Sequence, residues 1–152
     1  MIITESIGIE APPEEVFNFL RGLKDDDSYK AWHPDHVVLR WIGGEPFQEG
    51  SVVYFEEYLH GKLHKAKFIC TRVEPNRLIE YRPPFPLSIF SPRNQFIIEP
   101  TDDGGCIFTA TIKIRMGPLS RRLSRKQLEG VKRHMKEEGE NLKAILENKN
   151  HL

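Results

Sequence analysis

Alternating apolar and polar positions predict a chain made mainly of β-strands as far as residue 115. Residues 2–9 alternate loosely and include several isoleucines, which is typical of a strand. Turn residues such as Gly, Pro, Asn and Asp divide the later sequence into six segments of strand-like pattern. These segments are residues 37–42, 51–59, 64–73, 78–81, 94–98 and 106–115. The four prolines of residues 82–92 predict an irregular, stiff segment outside the sheet, at its edge or over it as a lid.

Helical spacing predicts two short helices after the first strand and one long helix near the end of the chain. Residues 12–20 begin with two prolines and place their apolar side chains on one helical face. The polar residues 25–36, with Trp32 as their apolar anchor, predict a second short helix or a structured loop. Apolar positions recur with helical period over residues 120–148. The order of elements predicts a single α+β domain over residues 1–152, in which a curved antiparallel sheet wraps around the long helix.

The charge balance argues against nucleic acid as the main partner. Lys and Arg number 22 and Asp and Glu also number 22, so the formal net charge is zero. Binding to a phosphate backbone depends on an excess of positive charge, and so does attachment to an anionic membrane surface. The basic pairs at residues 121–122 and 125–126 are therefore interpreted as a solvated helix face.

Cysteine content and the lengths of apolar runs predict a cytoplasmic protein with reduced thiols. Cys70 and Cys106 are far apart and form neither a disulfide framework nor a CxxC metal knuckle. The first residues lack the basic start and apolar run of a signal peptide. No stretch of about 18 apolar residues indicates a membrane span, so no membrane partner is expected. The sequence indicates no particular oligomeric state.

Two ionisable residues of the long helix point to a binding site. Glu138 occupies an apolar position in the stripe that contains Met135 and Leu142, and His134 lies one turn earlier on the same face. Burial of a lone charge is costly, so a partner or a metal is expected beside Glu138. An imidazole and a carboxylate at this spacing can bind one cation, and the same spacing also suits a hydrogen-bonded surface pair.

Glu57 is a comparable anomaly on the predicted strand 51–59. Strand alternation places it in the more apolar row, whereas Glu56 lies on the opposite face. If residues 60–61 form a two-residue hairpin turn, Glu57 lies opposite His64 on the next strand. A slip of one residue would exchange the two faces of the strand.

A third candidate lies in Trp-His-Pro-Asp-His, where the helical region enters the sheet. His33 or His36 can either cap and pack a helix end or provide a metal ligand. With Glu57, His134 and Glu138, these residues predict a site of two neutral imidazoles and two carboxylates, whose charge of minus two matches a divalent cation. Nitrogen and oxygen ligands in this mixture suit zinc, with iron and manganese as alternatives.

Residues 9–17, Ile-Glu-Ala-Pro-Pro-Glu-Glu-Val-Phe, resemble the opening signature of the START-like, Bet v 1-like (SRPBCC) superfamily, which includes polyketide cyclases. The order of elements over essentially the whole chain is also similar. The resemblance implies a helix-grip fold with a deep cavity between the sheet and the long helix. It does not imply one function, because members bind lipids, cyclise polyketides, hydrolyse or carry ligands.

Within this superfamily, the ligand set resembles that of the 2,4-diacetylphloroglucinol hydrolases, which hold zinc with a His, a strand Glu and a His-x-x-x-Glu on the last helix. His134 and Glu138 preserve that spacing, Glu57 matches the strand carboxylate, and His33 or His36 matches the first histidine. The chain is much shorter than those hydrolases and corresponds to their core domain. The resemblance implies hydrolysis of a carbon–carbon bond between an acyl group and an aromatic ring.

Such a reaction also needs a proton donor and an apolar cavity. The ring carbon that leaves must be protonated, and the candidates are His64 and whichever of His33 and His36 does not bind the metal. The expected partner is a small hydrophobic or aromatic molecule. The aromatic residues expected to line its cavity are Trp32, Phe55, Phe85 and Phe90.

Two other functions are compatible with the same sequence. A non-catalytic protein could carry an apolar ligand in the cavity without a metal. A metal-free polyketide cyclase or aromatase would instead use acid and base groups there. Metal binding by Glu138 distinguishes the hydrolase from both alternatives.

Overall fold

Seven antiparallel strands form one sheet in the computed structural model, which describes residues 1–150. The last two residues of the predicted 1–152 domain lie outside the described range. The sheet order is β1-β7-β6-β5-β4-β3-β2, so the first strand pairs with the last. The strands are β1 (Ile2–Ile9), β2 (His36–Gly43), β3 (Val52–Leu59), β4 (Lys62–Glu74), β5 (Leu78–Arg82), β6 (Arg93–Pro100) and β7 (Cys106–Lys113).

Four α-helices accompany the sheet in the described residues: α1 (Pro13–Arg21), α2 (Asp26–Trp32), α3 (Pro118–Leu123) and α4 (Arg125–Asn150). The Asp25 carboxylate accepts a hydrogen bond from Ser28 N (2.9 Å) and so begins α2. The prediction of one helix over residues 120–148 was wrong at its start. Pro118 begins the separate helix α3, and Ser124 leaves the helical conformation (φ −95°, ψ 10°) before α4.

A two-residue turn fixes the register between β3 and β4. His60 and Gly61 both have positive φ (53° and 76°), which is the conformation that a tight hairpin of this type requires. Glu57 consequently pairs with His64, and Glu56 pairs with Lys65. The predicted register is confirmed, and Glu57 lies on the inward face of the sheet with Phe55.

The curved sheet and α4 enclose both the hydrophobic core and a cavity. Val16 and Leu20 of α1, Phe108 of β7 and Leu142 of α4 are almost completely buried in the core. A cavity of about 420 Å³ remains between the sheet and α4, with walls drawn from α2, α4 and six strands. The predicted helix-grip architecture with an internal cavity is confirmed.

Residues 83–92 lie outside the sheet, as their prolines predict, whereas Arg82 is the last residue of β5. They contain a short 3₁₀ turn at Leu87–Ile89 between β5 and β6. Of the helices in the part of the chain that the structure describes, none is long and apolar enough to cross a membrane.

Candidate metal centre

Four ionisable side chains meet beside the cavity, and three of them line it. They are His36, Glu57, His134 and Glu138, and each contributes one ligand atom to a group whose atoms all lie within 4.8 Å of one another. All four residues are among the metal ligands that the sequence predicts.

Three elements bring these side chains together. Pairing of β2 with β3 places His36 directly opposite Glu57. On α4, His134 and Glu138 are one turn apart and share the face that lines the cavity. The Trp32 indole N–H donates a hydrogen bond to the Glu138 carbonyl oxygen (2.9 Å), which fixes α2 against α4 beside the site.

Five of the six distances between the four ligand atoms are close to those of a tetrahedral metal site, and the sixth, between Glu57 and Glu138, is at most 4.8 Å. From His36 Nε2, the distances are 2.8 Å to Glu138 Oε2, 3.2 Å to His134 Nε2 and 3.6 Å to Glu57 Oε2. From His134 Nε2, they are 3.2 Å to Glu138 Oε2 and 3.4 Å to Glu57 Oε2. Ligands 2.0–2.1 Å from a tetrahedral zinc ion lie about 3.3 Å from one another. The side chains therefore fit a small divalent cation without rearrangement of the backbone.

Tyr29 orients two of the four ligands. Its carbonyl oxygen accepts a hydrogen bond from His36 Nδ1–H (2.8 Å). A neutral imidazole with its proton on Nδ1 has a free lone pair on Nε2, which can bind a metal. The Tyr29 hydroxyl donates to Glu57 Oε2 (2.6 Å). Its ring also stacks on the His36 ring, with the centroids 3.7 Å apart and the planes at 5°.

The carboxylates and imidazoles control one another's protonation. Burial alone would lower the pKa of His134, but the Glu138 and Glu57 carboxylates outweigh burial and raise it to about 10. Burial likewise opposes ionisation of Glu138, and the neighbouring His134 and His36 nevertheless lower its pKa to about 2. No Lys or Arg lines the cavity among the described residues. In the metal-free protein the charge of Glu138 is therefore compensated by the proton of His134.

His33 is buried beside the site but engages protein atoms through both ring nitrogens. Its Nδ1 accepts a hydrogen bond from Asp35 N (2.9 Å), so its Nε2–H donates to Glu137 Oε1 (3.0 Å). A second cluster of possible ligands does contain His33, Asp35 and His134, but this hydrogen bond already occupies the His33 Nδ1 lone pair. Of the two histidines that the sequence left open, the geometry favours His36 as the metal ligand.

The other predicted site residues divide between the cavity and the surface. Trp32 and Phe55 are buried and line the cavity, and His64 lines it from the exposed end of β4. Phe90 lines it with 59% of its surface exposed, and so forms part of the rim. The assignment of Phe85 to the lining was wrong, since its side chain is 78% exposed. Only the last residues of its proline-rich segment, from Phe90 onward, reach the cavity.

Sequence reasoning missed the two tyrosines that face the site. Burial, reinforced by the Glu57 and Glu138 carboxylates, raises the pKa of Tyr29 well above its usual value. Tyr81 is affected in the same direction, because burial and the same carboxylates raise its pKa. The sequence does contain a signal for Tyr29, because this residue lies three positions before Trp32 and therefore on the same inward face of α2.

A family model described as polyketide cyclase / dehydrase and lipid transport matches residues 1–147. The chain belongs to this family. The match confirms the superfamily part of the sequence resemblance. No curated protein sequence matches the chain.

Solved structures support the fold of this polyketide cyclase family protein. The Zhui aromatase/cyclase from Streptomyces sp. R1128 matches with a TM-score of 0.73 at 15% identity, over 97% of this chain and 93% of that one. The protein SSP2350 from Staphylococcus saprophyticus gives a TM-score of 0.65 at 21% identity (97% and 92% covered). Ara h 8.0201 gives 0.57 at 14% identity (93% and 97% covered). At these identities the likeness concerns the fold alone.

Proposed function

We propose that the protein is a zinc-dependent hydrolase that cleaves a carbon–carbon bond between an acyl group and an aromatic ring, similar to the 2,4-diacetylphloroglucinol hydrolases. The observation that carries this proposal is the convergence of His36, Glu57, His134 and Glu138, of which Glu57, His134 and Glu138 line an apolar cavity. Two neutral imidazoles and two carboxylates balance a divalent cation, and the same donors also suit iron or manganese. When bound, such a metal polarises a carbonyl oxygen and activates water.

The apolar walls select the substrate. Trp32, Phe55 and Phe96 surround the space in front of the four ligands, so an aromatic ring packs there and excludes water. A cavity of about 420 Å³ accommodates a small aromatic molecule. The acyl oxygen of that molecule would then face His134 and the proposed cation site, which can attract it, whereas the ring faces the apolar walls.

His64 is the proposed proton donor to the ring carbon that leaves. Its imidazole lines the cavity, and it pairs across β3 and β4 with Glu57. Because the residue is exposed, it can recover its proton from solvent after each turnover. Of the other two sequence candidates for this role, His36 is assigned to the metal because Tyr29 holds its Nδ1 and its Nε2 faces the other ligands. His33 does not line the cavity, and its two ring nitrogens bond to Asp35 N and Glu137.

Elemental analysis tests the metal centre. The purified wild-type protein is expected to contain near-stoichiometric zinc, and a His134→Ala, Glu138→Ala double variant to contain none. The matched control is Lys136→Ala, Glu140→Ala, which removes an exposed pair of the same spacing on the same helix. Absence of metal from the wild type after incubation with zinc, or equal zinc in both double variants, would contradict the proposal.

A substrate screen tests the chemistry separately. The zinc-loaded protein is incubated with acylated phenols such as 2,4-diacetylphloroglucinol, and released carboxylic acid is measured. His64→Gln is expected to lower the rate at least about tenfold while zinc content stays unchanged. Loss of zinc from His64→Gln would show that His64 acts on the metal centre and would contradict its assignment as proton donor.

Metal-free ligand binding or cyclisation is the second candidate function. The family match supports it, as does the position of a protonated His134 within ion-pair distance of both Glu57 and Glu138 without a cation. This alternative predicts a metal-free wild-type protein whose affinity for an apolar ligand is unchanged in Glu138→Gln. Fluorescence titration with Nile red, run beside the elemental analysis, distinguishes it from the hydrolase.

A further inference from the structure

Large apolar side chains are exposed next to the mouth of the cavity. Four lie on the segment between β5 and β6, and two lie four residues apart on one face of α3. Their exposed fractions range from 48% to 79%. The six residues are Phe85, Leu87, Ile89, Phe90, Leu119 and Leu123.

These two groups belong to one surface, although about 30 residues separate them in sequence. Arg115 N donates a hydrogen bond to the Phe90 carbonyl oxygen (2.8 Å), which joins the loop after β5 to the segment that leads into α3. Phe90 and Ile114 both line the cavity. Phe90, which is both exposed and part of the cavity lining, therefore connects the exposed apolar side chains to the cavity rim.

The two segments that carry these side chains are also rich in positive charge. Residues 82–93 and 113–128 contain eight Lys and Arg and no Asp or Glu, which leaves 14 Lys and Arg against 22 Asp and Glu elsewhere. Arg93 and Arg125 pair with Glu80 and Glu129. The other six form no ion pair with a described carboxylate: Arg82, Lys113, Arg115, Arg121, Arg122 and Lys126.

We propose that this apolar and basic surface docks on an anionic lipid bilayer. Exposed aromatic and aliphatic side chains gain free energy by entering the acyl boundary, and cations around them bind lipid phosphates. Nucleic acid would leave the apolar side chains in water. A symmetric contact with a second copy would place the two sets of cations against each other. The bilayer is the partner that satisfies both the apolar and the charged components.

Docking in this orientation turns the cavity mouth toward the lipid. Phe90 belongs both to the docking surface and to the cavity rim, so an apolar ligand dissolved in the bilayer reaches the cavity without crossing water. This inference does not depend on the metal centre, because none of the four proposed ligands lies on the docking surface.

Vesicle co-sedimentation tests the charged component. The full chain is mixed with vesicles of phosphatidylcholine alone or of a three-to-one mixture with phosphatidylglycerol. Binding is expected to the mixed vesicles, with affinity that falls as salt is added. Arg121→Glu, Arg122→Glu is expected to bind roughly 25-fold or more weakly, since each cation at an anionic surface multiplies affinity about fivefold. Lys24→Glu, Lys30→Glu makes the same charge change at exposed positions outside the surface and should bind like the wild type.

A second pair of variants tests the apolar component. Leu119→Ser, Leu123→Ser should weaken vesicle binding at least about tenfold, whereas Ile42→Ser, at an exposed position on β2, should not. Circular dichroism confirms that each variant is folded. No binding to the mixed vesicles, or equal loss in the control variants, would overturn the proposal. The proposal would also be overturned if light scattering showed a wild-type dimer and the Leu119→Ser, Leu123→Ser variant were a monomer. The surface would then bind a second copy of the chain.

Discussion

Tyr29 supports the proposed metal centre through two different atoms. Its carbonyl oxygen fixes the His36 ring, and its hydroxyl donates to Glu57. Tyr29→Phe removes only the hydroxyl, so we expect zinc affinity about tenfold or more weaker with the fold preserved. Competition with a chromophoric chelator measures the change. Tyr54→Phe is the matched control, because the Tyr54 hydroxyl donates to Glu56 (2.7 Å) on the opposite face of the sheet; an equal effect there would contradict the role of Tyr29.

The raised pKa of His134 predicts how the stability of the metal-free protein depends on pH. The pKa is about 10 in the folded protein against a usual value of 6.5, so this group stabilises the fold fully below its unfolded pKa. That contribution is lost as the pH rises from about 6.5 toward about 10. Urea unfolding of chelator-treated protein at about pH 6.5 and pH 9 should show the decrease. His134→Gln should lack it, and a parallel decrease in that variant would assign the effect to other groups.

The sequence identifies three of the four proposed ligands and leaves the fourth open between His33 and His36. Glu57, His134 and Glu138 stand out because each occupies an apolar position of a regular element, where periodicity makes an ionisable side chain visible. His33 and His36 flank the irregular junction between α2 and β2, where no period applies. The role of His33 depends on the Asp35 N–H, and that of His36 on the Tyr29 carbonyl. Whether these backbone groups meet the imidazole nitrogens depends on how α2 and the residues after it fold.

The turn between β3 and β4 sets the face on which Glu57 lies. Gly61 has φ of +76°, a conformation that costs a residue with a side chain about 1–2 kcal/mol. Gly61→Ala should therefore lower the free energy of unfolding by about 1 kcal/mol, as measured by urea denaturation. Gly8→Ala, in the extended strand β1 with open space around the added methyl group, should cause no loss. An unchanged stability in Gly61→Ala would show that the turn has another conformation.

Elements with a strong period were predictable, and their junctions were not. The register of β3 and β4 follows from alternation and a two-residue turn. By contrast, the pattern of residues 120–148 continues across Ser124, where the chain nevertheless divides into α3 and α4. Leu119 and Leu123 remain exposed on α3, so burial of their side chains does not guide the path of this helix.

At the scale of the whole molecule, composition concealed the distribution of charge. A formal net charge of zero argues against an anionic partner only if charges of both signs are evenly mixed. Pairing of β6 with β7 brings residues 82–93 next to residues 113–128, so two segments that contain Lys and Arg but no Asp or Glu become neighbours in the folded chain. These two segments are distant in sequence, and only the topology of the sheet places them side by side.

The cavity and the metal centre should be separable by one substitution. Ala110 of β7 is buried and lines the cavity, so Ala110→Phe places an aromatic ring in the space where a ligand would bind. We expect at least a roughly tenfold loss of Nile red affinity and of any acyl-phenol turnover, with zinc content unchanged, because the four ligands belong to β2, β3 and α4. Thr111→Phe points to the opposite face of the same strand and should alter neither property.

Retained turnover in Ala110→Phe would place the reaction outside this cavity, whereas loss of zinc would show that β7 supports the ligands through the intervening side chains.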